Sequence, residues 1–358
     1  MSLLIYSFIT SFLVAFFTIP LVIKFFTKKK IFDIPGGRKI HKNFTPSMGG
    51  IGIFGGLMLS SVFWMTSGEL AVFKYVFGGL VIVFITGMRD DLIPLRPSYK
   101  LIAQIVAASM VVGLSDIRLN SLHGLFGVYE IPFWLGTSLS VFTIIVITNS
   151  FNLIDGVDGL AGTISVIVLS SFGIWFYLLG NYPISIMIFG MIGAIVAFLN
   201  FNWEPSRIFM GDTGALVIGY FMSILAIYFI EQNDSLSQGH AYKFTPTIST
   251  AVAVLIIPLF DTLRVFISRA IRGKSPFSPD MTHLHHLLLR LGLSHSGAVM
   301  VLGGANLLFI VMAIAMSSLS DVIALPVIVG TALLLSLFLE GLARRQDKKR
   351  QNALSRPA

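Results

Sequence analysis

Residues 212–231 read DTGALVIGYFMSILAIYFIE, and no residue between Asp212 and Glu231 carries a charge. An apolar block of this length matches the about 20 residues that an α-helix needs to cross the hydrocarbon core of a bilayer. Similar blocks recur along the chain of 358 residues, of which 55% are hydrophobic and only 12% are charged. Because soluble domains carry about a quarter charged residues, the composition predicts an all-α polytopic membrane protein.

The apolar blocks predict about eleven transmembrane helices. They lie near residues 2–24, 48–66, 71–88, 100–114, 133–149, 159–179, 183–200, 212–231, 247–268, 297–318 and 322–342. The first block lacks a small-residue cleavage site, so we expect it to remain as a helix and not to be removed as a signal peptide. Residues 1–343 then form a single transmembrane domain, and residues 344–358 form a basic tail.

Basic residues are distributed unevenly between the two sets of loops. Of the 25 Lys and Arg residues, 22 fall in the odd-numbered loops and the C-terminal tail. Because Lys and Arg accumulate on the cytoplasmic side of short loops, we expect the N-terminus outside and the C-terminus in the cytoplasm. The net charge of +8 therefore reflects topology, and we predict no nucleic-acid partner.

One even-numbered loop, residues 115–132, alternates weakly in hydrophobicity around the sequence HGLFG. Alternation of this kind is typical of short strands, so we predict a small extracytoplasmic β-hairpin there. The chain contains no cysteine, which excludes disulfides and thiolate chemistry. Any chemistry must therefore use Asp, Glu, His, Ser or Lys side chains.

The first polar cluster in the odd-numbered loops is MRDDLIPLRPSYK, residues 88–100. Asp90 and Asp91 directly follow the third predicted span. Adjacent carboxylates repel each other unless a cation or a shared proton relieves the repulsion. A solvated charge pair balanced by Arg89 and Arg96 is an equally good interpretation of these two residues alone.

The second cluster is NSFNLIDGVDGLAG, residues 149–162. Asn149, Asn152, Asp155 and Asp158 recur every three residues, which places them on one face if the segment is helical. The glycines between them leave room for a ligand or a neighbouring backbone. A helix-capping turn is the alternative, although a cap requires only one such side chain.

The third cluster is FNWEPSRIFMGDTGAL, residues 201–216, where Asp212 begins the eighth predicted span. An Asp at this position is a common helix cap. It is also compatible with Mg²⁺, because carboxylates are preferred magnesium ligands and free N–H groups at a helix start attract phosphate. Asn202 and Arg207 are candidates for contacts with a phosphate or a base.

The fourth cluster, SRAIRGKSPFSPDMTHLHHLLLRLGLSH at residues 268–295, contains His283, His285 and His286. Nearby Arg and Lys side chains favour phosphate as the ligand of these imidazoles. Surface histidines or a zinc-binding pair are the alternatives, and zinc is disfavoured because no cysteine is present.

Two further polar positions have simpler explanations. His41 lies in the basic stretch RKIHKNFTPSMGGIGIFGG, residues 38–56, where pairing with anionic lipid is at least as good an interpretation as substrate binding. Asp261 lies within the ninth predicted span, and an internal salt bridge with Arg264 explains it, although it could also line a polar site.

Several carboxylates on one membrane face, with basic and imidazole groups beside them, suit phosphoryl-group transfer, in which catalysis is mostly positioning and charge neutralisation. The stretches DDLIPLRPSYK, NLIDGVDGLAG, FNWEPSRIFMGDTGAL, SPFSPD and HLHH occur in this order, within a match that runs from about residue 35 to 296. Together they resemble the signatures of the polyprenyl-phosphate N-acetylhexosamine-1-phosphate transferases, integral membrane enzymes of the glycosyltransferase 4 type. SPFSPD and HLHH are similar to the WecA/TagO-like branch of that family.

The resemblance implies transfer of N-acetylglucosamine 1-phosphate from UDP-N-acetylglucosamine to undecaprenyl phosphate, with release of UMP. The product would enter cell-envelope polysaccharide synthesis, such as that of O antigen or teichoic acid. The resemblance also implies Mg²⁺ as cofactor, with Mn²⁺ as an alternative, and a bacterial inner-membrane location with the site facing the cytoplasm. The same chemistry on UDP-MurNAc-pentapeptide stays open, and a homodimer is compatible with the sequence.

Residue roles follow from the same resemblance. The implied catalytic carboxylates are Asp90, Asp91, Asp155 and Asp158, and the implied metal ligands are Asp212 and Asp91. The implied substrate-binding residues are His41, Lys100, Asn152, Asn202, Arg207, His283, His285 and His286. Our hypothesis is that Asp90 takes or shares the proton of the lipid phosphate, which then attacks the β-phosphorus. A covalent aspartyl-phosphosugar intermediate is the rival.

Two other classes of protein also use acids within membranes. A secondary transporter has a similar number of helices, but transporters usually place ionisable residues near the bilayer midplane, whereas these acids cluster at span ends. An intramembrane aspartyl protease needs two Asp residues that share a proton, and its chemistry would not need Asp212 or the histidines.

Overall fold

The computed structural model describes residues 1–29, 45–115, 117–271, 273 and 283–354, with side chains as far as Lys348. The described residues form α-helices and one short 3-10 helix, Leu125–Gly127, and they contain no β-strand. The helices are α1 (Ser2–Lys29), α2 (Gly50–Trp64), α3 (Ser67–Val72), α4 (Lys74–Leu92), α5 (Pro97–Leu114), α6 (Phe133–Ile154), α7 (Leu160–Leu178), α8 (Tyr182–Asn202), α9 (Gly211–Ser235), α10 (Thr247–Val254), α11 (Ile256–Ile271), α12 (Leu284–Arg290), α13 (His295–Ala315) and α14 (Asp321–Leu354). The prediction of an all-α polytopic chain is confirmed.

The prediction of eleven spans is too high for the described residues. Eight helices are long and apolar enough to cross a membrane, and a ninth span results if α10 and α11 count together. The second predicted span gives α2, whose 15 residues are shorter than a crossing of about 20 residues. The third continues as α4 to Leu92, so Arg89, Asp90 and Asp91 belong to the helix itself and not to the loop after it.

The ninth predicted span is broken at Leu255 into α10 and α11, which meet at an angle of 85°. Pro258 in the first turn of α11 has no N–H to donate to the carbonyl of Val254, so the helical ladder cannot continue through this point. The side-chain amide of Asn306 on α13 donates to that carbonyl instead, at 3.1 Å. The bend is therefore stabilised by a neighbouring helix within the apolar interior.

The predicted β-hairpin at residues 115–132 is absent from the described part of this loop. An isolated bridge joins Ser121 to Glu130, and the turn between them is the 3-10 helix. Four positions within the turn interrupt strand geometry, because His123, Gly124, Phe126 and Gly127 have φ values of 50°, 83°, 56° and 74°. Left-handed backbone of this kind cannot continue a pleated strand.

Helix α9 forms the centre of the bundle, with 94% of its most apolar 18-residue window buried. It packs against α4, α6 and α2, while α8 packs against α1, α2 and α7. Gly87 on α4 allows a close approach, since a Cβ atom there would lie 2.4 Å from the carbonyl oxygen of Asp212. The start of α9 is therefore in backbone contact with the end of α4.

Alternating helix directions bring the odd-numbered loops to one end of the bundle. The segment before α2 lies beside the start of α9, because Gly49 N–H donates to the carbonyl of Phe209 at 2.9 Å. The ends of α4, α6 and α8 and the starts of α5, α7 and α13 lie at this same end, which we call the site end. The opposite end, called the far end, contains the starts of α10 and α14.

Candidate active site

Asp91 connects the last turn of α4 to the first turn of α9. Its two carboxylate oxygens accept hydrogen bonds from the backbone N–H groups of Asp212 and Thr213, both at 2.9 Å, and from the Thr213 hydroxyl at 2.5 Å. The first N–H groups of a helix have no partner within the helix, and a negative charge beside them is stabilised by the helix dipole. Asp91 therefore holds the start of α9 against α4.

Lys100 bridges two other carboxylates at the site end. Its ammonium group lies 3.0 Å from Asp90 Oδ2 and also forms a close ion pair with Asp212 Oδ2. The other Asp90 oxygen accepts the N–H of Leu95 at 2.6 Å. Because α5 begins at Pro97 directly after this turn, the chain from 90 to 100 folds back and places the lysine between the end of α4 and the start of α9.

Asp155 lies immediately after α6, where it faces the same group of carboxylates. Loss of hydration by burial raises its pKa well above the ordinary value, and the negative charges of Asp212 and Asp91 raise it further. The preceding turn contributes Asn152, whose side chain lies beside Asp212. The predicted proximity of the second and third clusters is thus present in the structure.

Asp158 is buried in a different setting, three residues beyond Asp155. It accepts the N–H of Ser206 at 3.3 Å and lies 3.4 Å from Nδ1 of His295 at the start of α13. Beside it, Asn202 accepts the Gly159 N–H at 2.9 Å and donates to the Ile208 carbonyl at 2.8 Å.

Asn202 is therefore engaged with backbone groups on both sides of its amide. Asp158 and Asn202 hold the loops after α6 and α8 against each other. This structural contact is additional to the roles predicted from sequence, which were catalysis for Asp158 and nucleotide binding for Asn202. Arg207 lies over the ring of Phe201, with 5.0 Å from the guanidinium carbon to the ring centroid, and is exposed.

The three predicted histidines are adjacent and lie beside the loop after α6. The His283 and His285 rings are nearly parallel with centroids 5.6 Å apart, and His286 lies 4.3 Å from His285. A Cβ atom at Gly156 would be 2.8 Å from His285 Nε2, so this imidazole is packed against the turn that follows Asp155. Burial, followed by the charge of His286, lowers the pKa of His285 to about 3.

The structure thus brings together almost all of the predicted site residues. Asp90, Asp91, Asp155, Asp212, Lys100 and Asn152 form one cluster at the start of α9, which we call the carboxylate cluster. Asp158, Asn202 and the histidines border it, whereas the contact of Arg207 is with Phe201. His41 lies outside the residues that the structure describes.

Several contributors at this end were missed from sequence. Thr213 binds Asp91, and Glu204 accepts the N–H and hydroxyl of Ser296, both at 2.9 Å. His295 contacts Asp158 across 137 positions of sequence. The only available sequence signal was that His295 closes the fourth polar cluster, since long-range contacts of this kind leave no local pattern.

The donor set of the carboxylate cluster suits a hard cation. Asp90, Asp91, Asp155 and Asp212 are gathered around Lys100, and carboxylates gathered in this way need further positive charge when all of them are ionised. Among the described residues, no three His, Asp or Glu side chains are arranged to surround a metal ion. Mg²⁺ fits this arrangement, because it is usually bound by one or two carboxylates and completes its shell with water and substrate phosphates.

Comparison with known proteins gives a consistent result. The family model described as glycosyl transferase family 4 matches residues 73–230, which include the first three polar clusters completely. A probable undecaprenyl-phosphate N-acetylglucosaminyl 1-phosphate transferase of Bacillus subtilis (strain 168) is 31% identical over 329 residues, covering 88% of this chain and 85% of the relative.

Two enterobacterial relatives carry a similar name, undecaprenyl-phosphate alpha-N-acetylglucosaminyl 1-phosphate transferase. The protein of Yersinia pestis is 30% identical over 75% of this chain and 72% of its own length. The protein of Escherichia coli (strain K12) is 28% identical over 81% of this chain and 79% of its own length. The chain is therefore a multi-pass membrane enzyme of glycosyl transferase family 4, within the polyprenyl-phosphate N-acetylhexosamine-1-phosphate transferases.

Proposed function

We propose that this enzyme transfers N-acetylglucosamine 1-phosphate from UDP-N-acetylglucosamine to undecaprenyl phosphate, as an initiating step of cell-envelope polysaccharide synthesis. The names of the relatives support the choice of both substrates. The observation that carries the proposal is the carboxylate cluster around Lys100 at the start of α9. Such a cluster suits a diphosphate and a metal ion, and its position at the end of membrane helices suits one lipid and one water-soluble substrate.

The reaction requires one bond to form and one to break at the β-phosphorus of the UDP-sugar. A phosphate oxygen of the lipid forms the new bond, and the bond from the β-phosphorus to the bridging oxygen breaks, so that UMP leaves with that oxygen. A bound Mg²⁺, held by Asp212, would neutralise negative charge on the two phosphates. The histidines and Lys100 are placed to hold the phosphates by charge-assisted hydrogen bonds.

The proton of the lipid phosphate needs an acceptor within the cluster. Asp90 was the first choice from sequence, but both of its oxygens already accept hydrogen bonds, from Leu95 and Lys100. Asp155 is the better candidate by position, because it faces the same group of carboxylates. Its raised pKa makes it a strong base only in the ionised form, which a cation bound at the cluster would favour. We therefore assign the proton to Asp155 and leave Asp90 to position Lys100.

The purified protein in lipid nanodiscs tests the proposal directly. Radiolabelled UDP-N-acetylglucosamine and undecaprenyl phosphate should give labelled lipid and one UMP per transfer, and UDP-MurNAc-pentapeptide in its place should give none. EDTA should stop the reaction, and Mg²⁺ or Mn²⁺ should restore it. Lipid product from the pentapeptide substrate alone would assign the other sugar, and EDTA-insensitive transfer would remove the metal from the proposal.

A single-turnover experiment separates direct attack from a covalent intermediate. Without undecaprenyl phosphate, direct attack predicts no UMP release and no labelled protein. A burst of UMP with label retained on Asp90 or Asp155 after denaturation would establish the covalent route instead.

A further inference from the structure

Asp261 is a buried carboxylate to which the proposed reaction assigns no role. It lies on α11, is 2% exposed, and is separated from the carboxylate cluster by the histidines. The salt bridge to Arg264 predicted from sequence is present, at 3.3 Å. This salt bridge is only one of several contacts that Asp261 makes, so a simple ion pair does not account for its position.

The remaining contacts of Asp261 are made with the histidine segment. Its Oδ1 atom accepts the backbone N–H of Leu284 at 2.9 Å, and its Oδ2 atom lies 2.9 Å from Nδ1 of His283. Residues 283 and 284 begin α12, so Asp261 holds both the first helical N–H and the first histidine ring. His283 is itself buried, so packing as well as this contact restricts the orientation of its ring.

We propose that Asp261 is a positioning residue for His283: it keeps a proton on Nδ1 and turns Nε2 of the ring toward the substrate phosphates. An ionised carboxylate can only accept hydrogen bonds, so Nδ1 must donate whether the ring is neutral or charged. Nε2 is then the nitrogen left for the substrate. The inference rests on the proposed function for the identity of that substrate, but the state of the ring does not depend on it.

Arg264 makes this arrangement rigid. One of its terminal nitrogens binds Asp261, and the other donates to Glu340 Oε1 on α14 at 2.6 Å. The carboxylate is thus anchored to α11, α12 and α14 at the same time. His285, stacked parallel to His283, has no such carboxylate contact among the described residues and is packed on Gly156. The two rings are therefore held by different means, and only His283 has its proton assigned by a carboxylate.

The change Asp261→Asn provides a specific test, because the orientation of the new amide is dictated by its surroundings. Oδ1 is claimed by two donors, Leu284 N–H and Arg264, so the amide oxygen must stay there and the NH₂ group must face His283. The NH₂ group can only donate, which forces Nδ1 to become the acceptor and moves the ring proton to Nε2.

Nitrogen NMR of the full-length protein labelled with [¹⁵N]histidine measures this proton position without any substrate. The His283 signals are identified by their loss in His283→Gln. We expect a protonated Nδ1 in the wild type and a protonated Nε2 with a bare Nδ1 in Asp261→Asn. A bare Nδ1 on His283 in the wild type would overturn the inference, and this outcome needs no folded variant of Asp261.

Enzyme kinetics in nanodiscs provide a second test of the role of Asp261. We expect Asp261→Asn to lower kcat for UMP release by about 10- to 100-fold, the range typical of residues that orient a ligating histidine. In the His283→Gln background the same change should cost less than about twofold, since residues that act through one another are non-additive. An equal loss in both backgrounds would mean that Asp261 acts structurally and not through the ring.

Asp321→Asn is the matched control. Asp321 is also 2% exposed and also accepts backbone N–H groups at a helix start, but it lies at the far end. It should lower thermal stability as Asp261→Asn does while leaving kcat per folded protein and the His283 signals unchanged. If the wild type releases no UMP at all, the proposed function fails, whereas the nitrogen signals still decide the role of Asp261.

Discussion

Asp91 on α4 and Asp321 on α14 are carboxylates that cap the start of another helix, α9 and α10 respectively, at opposite ends of the bundle. Asp91 accepts the N–H groups of Asp212 and Thr213, and Asp321 accepts those of Ile248 and Ser249. Each also accepts the hydroxyl of its Ser or Thr partner. Each thereby caps a helix from a neighbouring helix, which satisfies N–H groups that the helix leaves unpaired.

The difference between them lies in the surroundings and not in the cap. Around Asp91, the carboxylates of Asp90, Asp155 and Asp212 are gathered near Lys100. At the far end, the hydrogen bonds that the side chain of Asp321 makes with described residues lead to the first turn of α10. A capped helix start is therefore a structural device at both ends. The excess of negative charge beside one of them is the reason that we propose it as the place for phosphates and a cation.

The most severe way to break the site end is to remove the carboxylate at its centre. We expect Asp212→Asn to lower transfer by about a thousandfold, the scale associated with loss of a central electrostatic group. The N–H of residue 212 still binds Asp91, so the fold should survive. The measurement is UMP release, with the thermal unfolding midpoint as a control. Activity within tenfold of the wild type would exclude Asp212 as the proposed metal ligand.

Removal of the positive charge of Lys100 should have the next largest effect. Lys100→Gln keeps a polar side chain, one atom shorter than that of lysine, but leaves Asp90 and Asp212 without the ammonium group between them. We expect transfer to fall by about a hundredfold. Raising the Mg²⁺ concentration should recover part of this loss if the missing charge is responsible, and Lys100→Arg should be less impaired. A loss that is the same for Arg and Gln would indicate a requirement for the lysine itself and not for its charge.

The two caps can be compared directly through Asp91→Asn and Asp321→Asn. An amide has only one accepting oxygen, so each change should cost about 1–3 kcal/mol through unsatisfied N–H groups. Thermal unfolding should register both. Only Asp91→Asn should also lower transfer per folded molecule, by about tenfold, because it moves the start of α9. Equal activity in the two variants would mean that the position of α9 does not limit the reaction.

Arg207 should show the smallest effect among the predicted site residues. Its guanidinium is exposed over Phe201, and exposed substitutions away from structural features usually change little. We expect Arg207→Ala to change KM for UDP-N-acetylglucosamine by less than about threefold with kcat unchanged. A rise in KM of more than tenfold would show that Arg207 binds the nucleotide.

Local sequence patterns accounted for the helices and for the end at which the acids collect. Apolar blocks such as residues 212–231 indicate a place in the membrane interior through their own composition, even though α9 is covered by other helices and not by lipid. Charged residues collect at the helix ends because the interior excludes them. The predicted number of spans was too high because some helix boundaries and breaks are not visible in the composition of the sequence. Asp90 and Asp91 look like a loop by charge but belong to α4, and the break before Pro258 depends on an amide supplied by Asn306.

Residue types in the candidate site were predictable, but the division of labour among them was not. Asp91 and Asp158 look like reactive carboxylates in sequence, yet their oxygens accept N–H groups from residues more than 40 positions away. Asn202 is likewise engaged with backbone. Which acid is left for chemistry is decided by these long-range hydrogen bonds, and a single sequence contains no local record of them.

The contact of Gly87 with the first turn of α9 extends the set of essential positions beyond the residues with polar side chains. The carboxylates at the start of α9 lie near one another because the backbones of α4 and α9 are in contact. A single methyl group at position 87 would separate these two backbones. A residue with no side chain thus sets the spacing of the ionisable groups. Loss of function at such a position would look like a packing defect while being, in effect, a change in electrostatics.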